Sequence, residues 1–212
     1  MIWHHSNCMR EDIRIYWTSK EFQEKNAMAI QQVTAYLEEL NLEYYKRYGT
    51  YFKRYIESRI KSVDSICAKL QRKNGKLTPD DMEERLNDLC GVRVICYDTN
   101  QMYRIVDLFV KGRRYEVQKE KDYVKKPKKN GYQSYHIICL VPVEIEGKRF
   151  RVKVELQIRT IIMDAWASID AVVRYKKDKK ISRELAQKID KFAKGSRELD
   201  KIVKGIMEEE YI

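Results

Sequence analysis

The stretch from Gly131 to Thr160, GYQSYHIICLVPVEIEGKRFRVKVELQIRT, reads as two long strands joined by a turn, and no other segment constrains the fold as much. Successive side chains of a strand point to opposite faces. In the first strand Tyr132, Ser134 and His136 share one face. In the second, Val152, Val154, Leu156 and Ile158 make an apolar face, and Arg151, Lys153, Glu155, Gln157 and Arg159 make the other. A polar strand face commonly means one side of a sheet in water. Here the hairpin sets that face beside an aromatic, a hydroxyl and one of only three histidines, a combination suited to the floor of a charged-ligand site.

The remaining segments read in order as follows. Phe22, Ala29, Ile30, Val33, Tyr36, Leu37 and Leu40 recur at helical spacing and predict a helix over 19–46. Tyr44, Tyr45, Tyr48, Tyr51 and Tyr55 follow among Lys and Arg, which suits base stacking and equally suits packing of tyrosine bodies on a core. A second helix is expected over 52–73, with Ile56, Ile60, Val63, Cys67 and Leu70 as its buried stripe. On that helix Lys61, Ser65 and Lys69, four apart, line one face. Two ammonium groups around a hydroxyl suit a run of phosphates; a solvated basic face has the same spacing. Thr78 caps a short helix that Pro79 opens, and Asp80, Asp81, Glu83 and Glu84 suit its positive end. Asp88 stands just ahead of a strand over 90–97, in which Arg93 faces away from Val92, Val94 and Cys96. A helix over 100–111, a strand over 115–121, a loop VKKPKKN at 124–130 and helices over 160–175 and 182–209 complete the chain. The four lysines of that loop fall at the mouth of the presumed floor. Strands and helices in this order give an α+β fold, a mixed α/β sandwich with a central sheet flanked by helices, organised as one domain over 1–212.

The formal charge of +11 predicts attraction to polyanions such as nucleotides or nucleic acid, and also serves plain solubility. Cys8, Cys67, Cys90, Cys96 and Cys139 form no CxxC pair and no zinc spacing, which fits a reducing, cytoplasmic setting. Cys90 and Cys96 fall on one strand face as buried thiols. His4-His5 lacks a third ligand nearby and reads as exposed. No signal-peptide core is present, and no apolar run approaches the roughly 20 residues of a membrane helix. There is no GxxxxGK[ST] and no GxGxxG, so phosphate binding must rest on side-chain cations. Asp88 and Glu155 are hard oxygen ligands among cations, as Mg²⁺ with a nucleotide requires.

Four ordered segments, DLCGVRVIC (88–96), GYQSYH (131–136), VELQIRT (154–160) and MDAWASID (163–170), resemble the synthetase domain of the RelA/SpoT family, and most closely its single-domain small alarmone synthetases. The resemblance covers roughly Tyr55–Lys176. It implies a mixed sheet flanked by helices, similar to nucleotidyltransferases, and transfer of the ATP pyrophosphate to the 3′-hydroxyl of a guanine nucleotide. By the same resemblance Arg59 and Arg93 would sandwich the adenine, and Lys61, Ser65 and Lys69 would hold the ATP phosphates. Asp88, with Glu155 nearby, would bind Mg²⁺, and Glu155 would polarise or deprotonate the acceptor hydroxyl. Tyr132 would stack on the acceptor base, Lys128 and His136 would meet its phosphates or the transferred group, and Gln157 and Arg159 would complete the floor.

Where the family usually has Glu-His after the WAS segment, this chain has Asp170-Ala171, which bears on the acceptor side. No upstream histidine-aspartate metal motif is present, so the resemblance implies synthesis without hydrolysis. A toxic branch of the family performs the same chemistry on the 3′-CCA end of tRNA and is neutralised by antitoxin partners. The charge, the KKPKK loop and Asp170-Ala171 lean that way, while Tyr132 is common to both branches. A non-catalytic basic RNA-binding module is a third reading, disfavoured because Asp88 and Glu155 would repel a phosphate backbone. Relatives form homotetramers, and the tail Glu208–Ile212 could instead meet a partner protein.

Overall fold

A computed structural model describes residues 2–175 and 182–210, with side chains described over 10–173 and 182–209. The side chains of His4, His5 and Cys8, and the residues 176–181, lie outside the described residues. The elements run α1 (Ile2–Thr18), α2 (Lys20–Tyr48), β1 (Lys53–Ile60), α3 (Val63–Arg72), α4 (Pro79–Arg85), β2 (Cys90–Cys96), α5 (Thr99–Lys111), β3 (Glu116–Asp122), β4 (Tyr135–Ile145), β5 (Lys148–Thr160), α6 (Ile161–Tyr175) and α7 (Arg183–Glu210). The expected α+β architecture with a central mixed sheet is present. The strand order is β1-β2-β5-β4-β3, with β2 and β5 parallel and the other neighbours antiparallel.

The hairpin forms, but its first strand begins only at Tyr135, so Tyr132 and Ser134, expected on that strand with His136, lie on the irregular segment before it. Val152, Val154 and Leu156 pair with Val141, Cys139 and Ile137 on one buried face, which Ile158, paired with Tyr135, and Val143, paired with Phe150, extend. Val92, Val94 and Cys96 of β2 continue that face, and Ala29, Val33, Leu37, Leu40, Ile105 and Phe109 from α2 and α5 cover it. Burying such side chains stabilises the fold by roughly 1.5–3 kcal/mol each, which is what fixes the register. The four described thiols are buried and free, and Cys90 and Cys96 share the core face as expected.

The expected helix over 52–73 is two elements. Lys53–Ile60 is an edge strand, and only Val63–Arg72 is helical. Ile56 and Ile60 satisfy helical spacing, but with Ser58 between them they also satisfy strand alternation. The open edge of β2 decides: Ile56 pairs with Val94 and Ile60 with Cys90. Asn41 of α2 accepts from the amides of Phe52 and Lys53 and so starts the strand. Lys61 therefore lies on the β1–α3 connection, not on a helix face with Ser65 and Lys69.

The N-terminal segment, left without an assigned element from the sequence, is helical. Ile13 of α1 joins Phe22, Ile66, Leu70, Met82 and Leu86 in a second apolar cluster. Trp17 Nε1 donates to the Lys61 carbonyl at 2.9 Å, so α1 fixes the connection that carries Lys61. The short helix is capped as predicted, with Thr78 Oγ1 accepting from the Asp81 amide. Among the described residues no helix is long and apolar enough to cross a membrane.

Candidate active site

The face of the sheet opposite the core carries the polar residues of four adjacent strands. The register aligns Arg59 with Gly91 and Gly91 with Glu155, then Glu57 with Arg93, Arg93 with Gln157 and Gln157 with His136. A cavity of about 450 Å³ opens over these rows, and Arg59, Asp88, Arg93, Glu155 and Gln157 are among its walls. Gly91 has a local reason to be glycine. A Cβ there would stand 3.0 Å from the Glu155 carbonyl, so a side chain would crowd the strand that carries the carboxylate.

Asp88 forms one half of the site. Its Oδ2 accepts from Lys69 at 2.6 Å and Lys61 at 3.0 Å. Burial opposes its ionisation, but the two ammonium groups outweigh burial and hold its pKa below the usual carboxylate value. Its Oδ1 is buried with no hydrogen-bond partner among the described residues. Sequence reasoning put Lys61 and Lys69 on one helix face; the structure brings their ammonium groups together from two elements. Ser65 stays apart from them, exposed, and accepts from the Ser62 hydroxyl at 2.9 Å.

Glu155 forms the other half. Gln157 Nε2 donates to its Oε2 at 2.7 Å, and His136 Nδ1 lies 3.1 Å from its Oε1. Burial works against its charge, and these two partners overcome it, so its pKa is lowered. Burial also lowers the His136 pKa and favours neutral imidazole. The network then assigns the tautomer: Nδ1–H donates to Glu155, and Nε2, 2.8 Å from the Tyr132 hydroxyl, accepts from it. Arg159 donates to the same hydroxyl at 2.7 Å and to Gln157 Oε1 at 2.9 Å. Glu155, Gln157, His136, Tyr132 and Arg159 are thus one connected array, which Tyr132 joins from the segment before β4, whereas Ser134, expected on the same face, is buried and donates to the Ile158 carbonyl at 3.2 Å.

Asp164 was missed as a site residue. Its Oδ1 accepts from Arg159 at 3.0 Å and lies 3.5 Å from Arg93, while Tyr55 donates to its Oδ2 at 3.0 Å. One carboxylate therefore fixes the two arginines that flank the floor. The MDAWASID segment contained it, but only the turn from β5 into α6 brings it under β2. Tyr123 was missed as well; its ring stands edge-on to Tyr132 and His136, with centroids 6.0 and 5.2 Å away. The tyrosine-rich segment divides its roles. Tyr44 is buried in the core, Tyr45 stacks on Tyr51 at 4.5 Å, and Tyr48 lies under Arg104.

The donor set fits a hard divalent cation in one respect. Mg²⁺ is commonly held by one or two carboxylates together with substrate phosphates, not by a full protein cage. Asp88 and Glu155 line one cavity, Glu155 feels the charge of Asp88, and Asp88 Oδ1 has a buried lone pair with no partner among the described residues. Among the described residues no group of three or more His, Cys, Asp or Glu could hold a metal by itself.

A sequence profile of the region found in RelA / SpoT proteins matches residues 58–180. The chain belongs to the RelA/SpoT family. Among its relatives, the GTP pyrophosphokinase YwaC of Bacillus subtilis is 37% identical over 153 residues, which span 72% of this chain and 73% of YwaC. The GTP pyrophosphokinase YjbM of the same organism is 28% identical over 146 residues, 69% of this chain and 68% of YjbM. The crystal structure of the small alarmone synthetase 2 from Bacillus subtilis is similar at a TM-score of 0.77 and 32% identity, covering 87% of this chain and 96% of that one. The profile match to the RelA/SpoT family begins inside β1 and includes every residue of the cavity floor from Ser58 onward. At the position where this RelA/SpoT-family chain departs from the usual Glu-His, Asp170 is buried, and Asn130 Nδ2 donates to it at 3.3 Å. The shortened acid thus meets the loop just before Gly131-Tyr132.

Proposed function

We propose that this RelA/SpoT-family protein is an ATP-dependent pyrophosphokinase that transfers the β,γ-pyrophosphate of ATP to the 3′-hydroxyl of GDP or GTP, forming ppGpp or pppGpp and AMP. The names of the relatives YwaC and YjbM, both GTP pyrophosphokinases, support the substrate class. The observation that carries the chemistry is the pairing of Glu155, ionised and hydrogen-bonded on two sides, with Asp88 on a cavity walled by Arg59 and Arg93. The reading treats the described elements as one synthetase domain.

The acceptor 3′-oxygen attacks the β-phosphorus, the bond from that phosphorus to the α,β-bridging oxygen breaks, and AMP leaves with the bridging oxygen. A hydroxyl is a weak nucleophile at neutral pH, so a carboxylate in hydrogen-bond reach must orient it and take its proton. Glu155 has that role: its lowered pKa keeps it charged and accepting, and Gln157 and His136 fix its direction. Arg59 and Arg93 both line the cavity, and guanidinium groups there would flank the adenine, on which such planes stack. Lys61 and Lys69 lie where ATP phosphates would approach Asp88, with Ser65 at the first turn of α3. Tyr132 offers its ring to the acceptor base, and Lys128 and His136 lie beside it for the acceptor phosphates or the transferred group. Arg159 and Gln157 hold the floor under both. Asp88 and Glu155 would hold Mg²⁺, which when bound would neutralise charge on the transferred group. Positioning and charge neutralisation supply most of the catalysis in such transfers.

The test is a competition in one reaction. γ-Labelled ATP is incubated with the protein, Mg²⁺, GDP, GTP and deacylated tRNA together. Label is expected on the guanine nucleotides, with AMP formed in equal amount. Label on tRNA with none on GDP or GTP would overturn the acceptor, and AMP without any labelled acceptor would overturn the reaction.

A further inference from the structure

The ammonium of Lys128 stands 4.4 Å from the ring centroid of Tyr132 and 4.6 Å from that of Tyr123. It lies between two aromatic rings, at stacking distance from the one that the proposed function gives to the acceptor base. The backbone holds it there by a tight turn, with the Gly131 amide donating to the Lys128 carbonyl at 2.8 Å and the Lys128 amide to the Tyr132 carbonyl at 3.1 Å. Arg159 is the second cation on Tyr132, with its guanidinium carbon 5.2 Å from the centroid. Arg159 is buried and committed to Asp164, Gln157 and the Tyr132 hydroxyl, so it is locked. Lys128 is exposed, and among the described residues no carboxylate lies within ion-pair distance of it. Of the two cations, only Lys128 can yield to an arriving base.

We propose that Lys128 is a cation plug on Tyr132, displaced by the acceptor base and taken up by the acceptor phosphates, so that the site selects a phosphorylated acceptor over a bare nucleoside. This rests on the reading of Tyr132 as the acceptor platform. The base must break two cation–π contacts to stack, and an ammonium released into the open site needs a new anion. A nucleoside diphosphate or triphosphate supplies one and guanosine does not. Lys128 thus opposes the binding of one part of the acceptor and supports the binding of the other. A lysine that only contacted phosphate would do the second alone.

The two roles separate in Lys128→Ala. Cation–π contacts of this kind are modest, so guanosine binding by calorimetry is expected to tighten about fivefold, while GTP binding weakens about tenfold. Guanosine binding that is unchanged or weakened in Lys128→Ala overturns the plug and leaves a simple phosphate ligand. GTP binding that also tightens overturns uptake by phosphate. A second measurement stands apart from the identity of the acceptor. The ε-methylene protons of Lys128, identified by their loss in Lys128→Ala, are expected upfield in the NMR spectrum of the free protein because they lie between two rings. An unshifted signal overturns the plug even if guanine nucleotides bind. An upfield signal that GTP fails to move, in a protein that transfers label to GTP, overturns the displacement. Failure of GTP and guanosine alike to bind, with the upfield signal present, refutes the acceptor reading and with it the selection.

Discussion

Gly131 precedes the proposed acceptor platform by one residue, and its replacement by alanine is a demanding test of how the site is built. Two separate costs follow from the structure. Its φ of +83° lies in the left-handed region, where an L side chain costs about 1–2 kcal/mol. An added Cβ would also stand 2.5 Å from the Ala193 Cβ of α7, well inside the roughly 3.5–4.0 Å of carbon contact. Relieving such overlap in a packed interior costs about 1–3 kcal/mol. Gly131→Ala should therefore lose about 2–5 kcal/mol in urea unfolding followed by far-UV circular dichroism. Ala193→Gly alone should lose about 1 kcal/mol, the helix cost of glycine. In the double variant the overlap disappears but the backbone cost remains. It should be more stable than the sum of the single losses predicts, by about 1–3 kcal/mol. The acceptor KM should follow the same pattern, because α7 holds the loop that presents Tyr132. Strict additivity within about 0.5 kcal/mol would refute the view that α7 shapes the site through this approach.

Glu155→Gln should reduce transfer by at least about a hundredfold while circular dichroism reports an intact fold, and turnover near the wild-type rate would remove Glu155 as the base. Tyr132→Ala should raise KM for GDP or GTP more than for ATP; equal losses on both substrates would contradict stacking on the acceptor. Asp200 gives a pH signature. Burial, with the nearby Asp98 charge, pushes its carboxyl from 3.8 up to about 6 despite the Thr160 hydroxyl donating to it. A raised acid binds its proton more tightly when folded, so stability falls as pH rises from about 4 to about 6 and is flat above, by about 3 kcal/mol from the linkage relation. Asp200→Asn should gain up to that amount at neutral pH and nothing below about pH 4, and a gain that persisted at low pH would exclude Asp200 titration as its source.

Several features were legible because they depend on neighbours in sequence. Alternation in Arg151–Arg159 gave both faces of β5, and Thr78-Pro79 marked the start of α4. Helical spacing placed α2. The motif order pointed to the family, and Asp88, Glu155, Arg59 and Arg93 do share one cavity. The identity of residues 53–60 was not legible, because Ile56 and Ile60 fit a helix and a strand equally well. Helix α1 was hidden for a similar reason: its one fully buried described residue, Ile13, finds its partners on α2, α3 and α4.

The sequence by itself determined which side chains share a strand face, since that follows from a two-residue repeat fixed by backbone stereochemistry. It also determined the charge types that meet at the site. Tertiary structure alone decided which faces lie side by side. The parallel pairing of β2 with β5 sets Gly91 against Glu155 and Arg93 against Gln157, two segments more than sixty residues apart. It decided that Lys61 and Lys69 converge on Asp88 from two elements, that Asp164 joins Arg93 to Arg159, and that Lys128 folds back between Tyr123 and Tyr132. Those contacts arise when sheet order and helix packing bring distant segments within a few ångströms, and no local periodicity encodes that proximity.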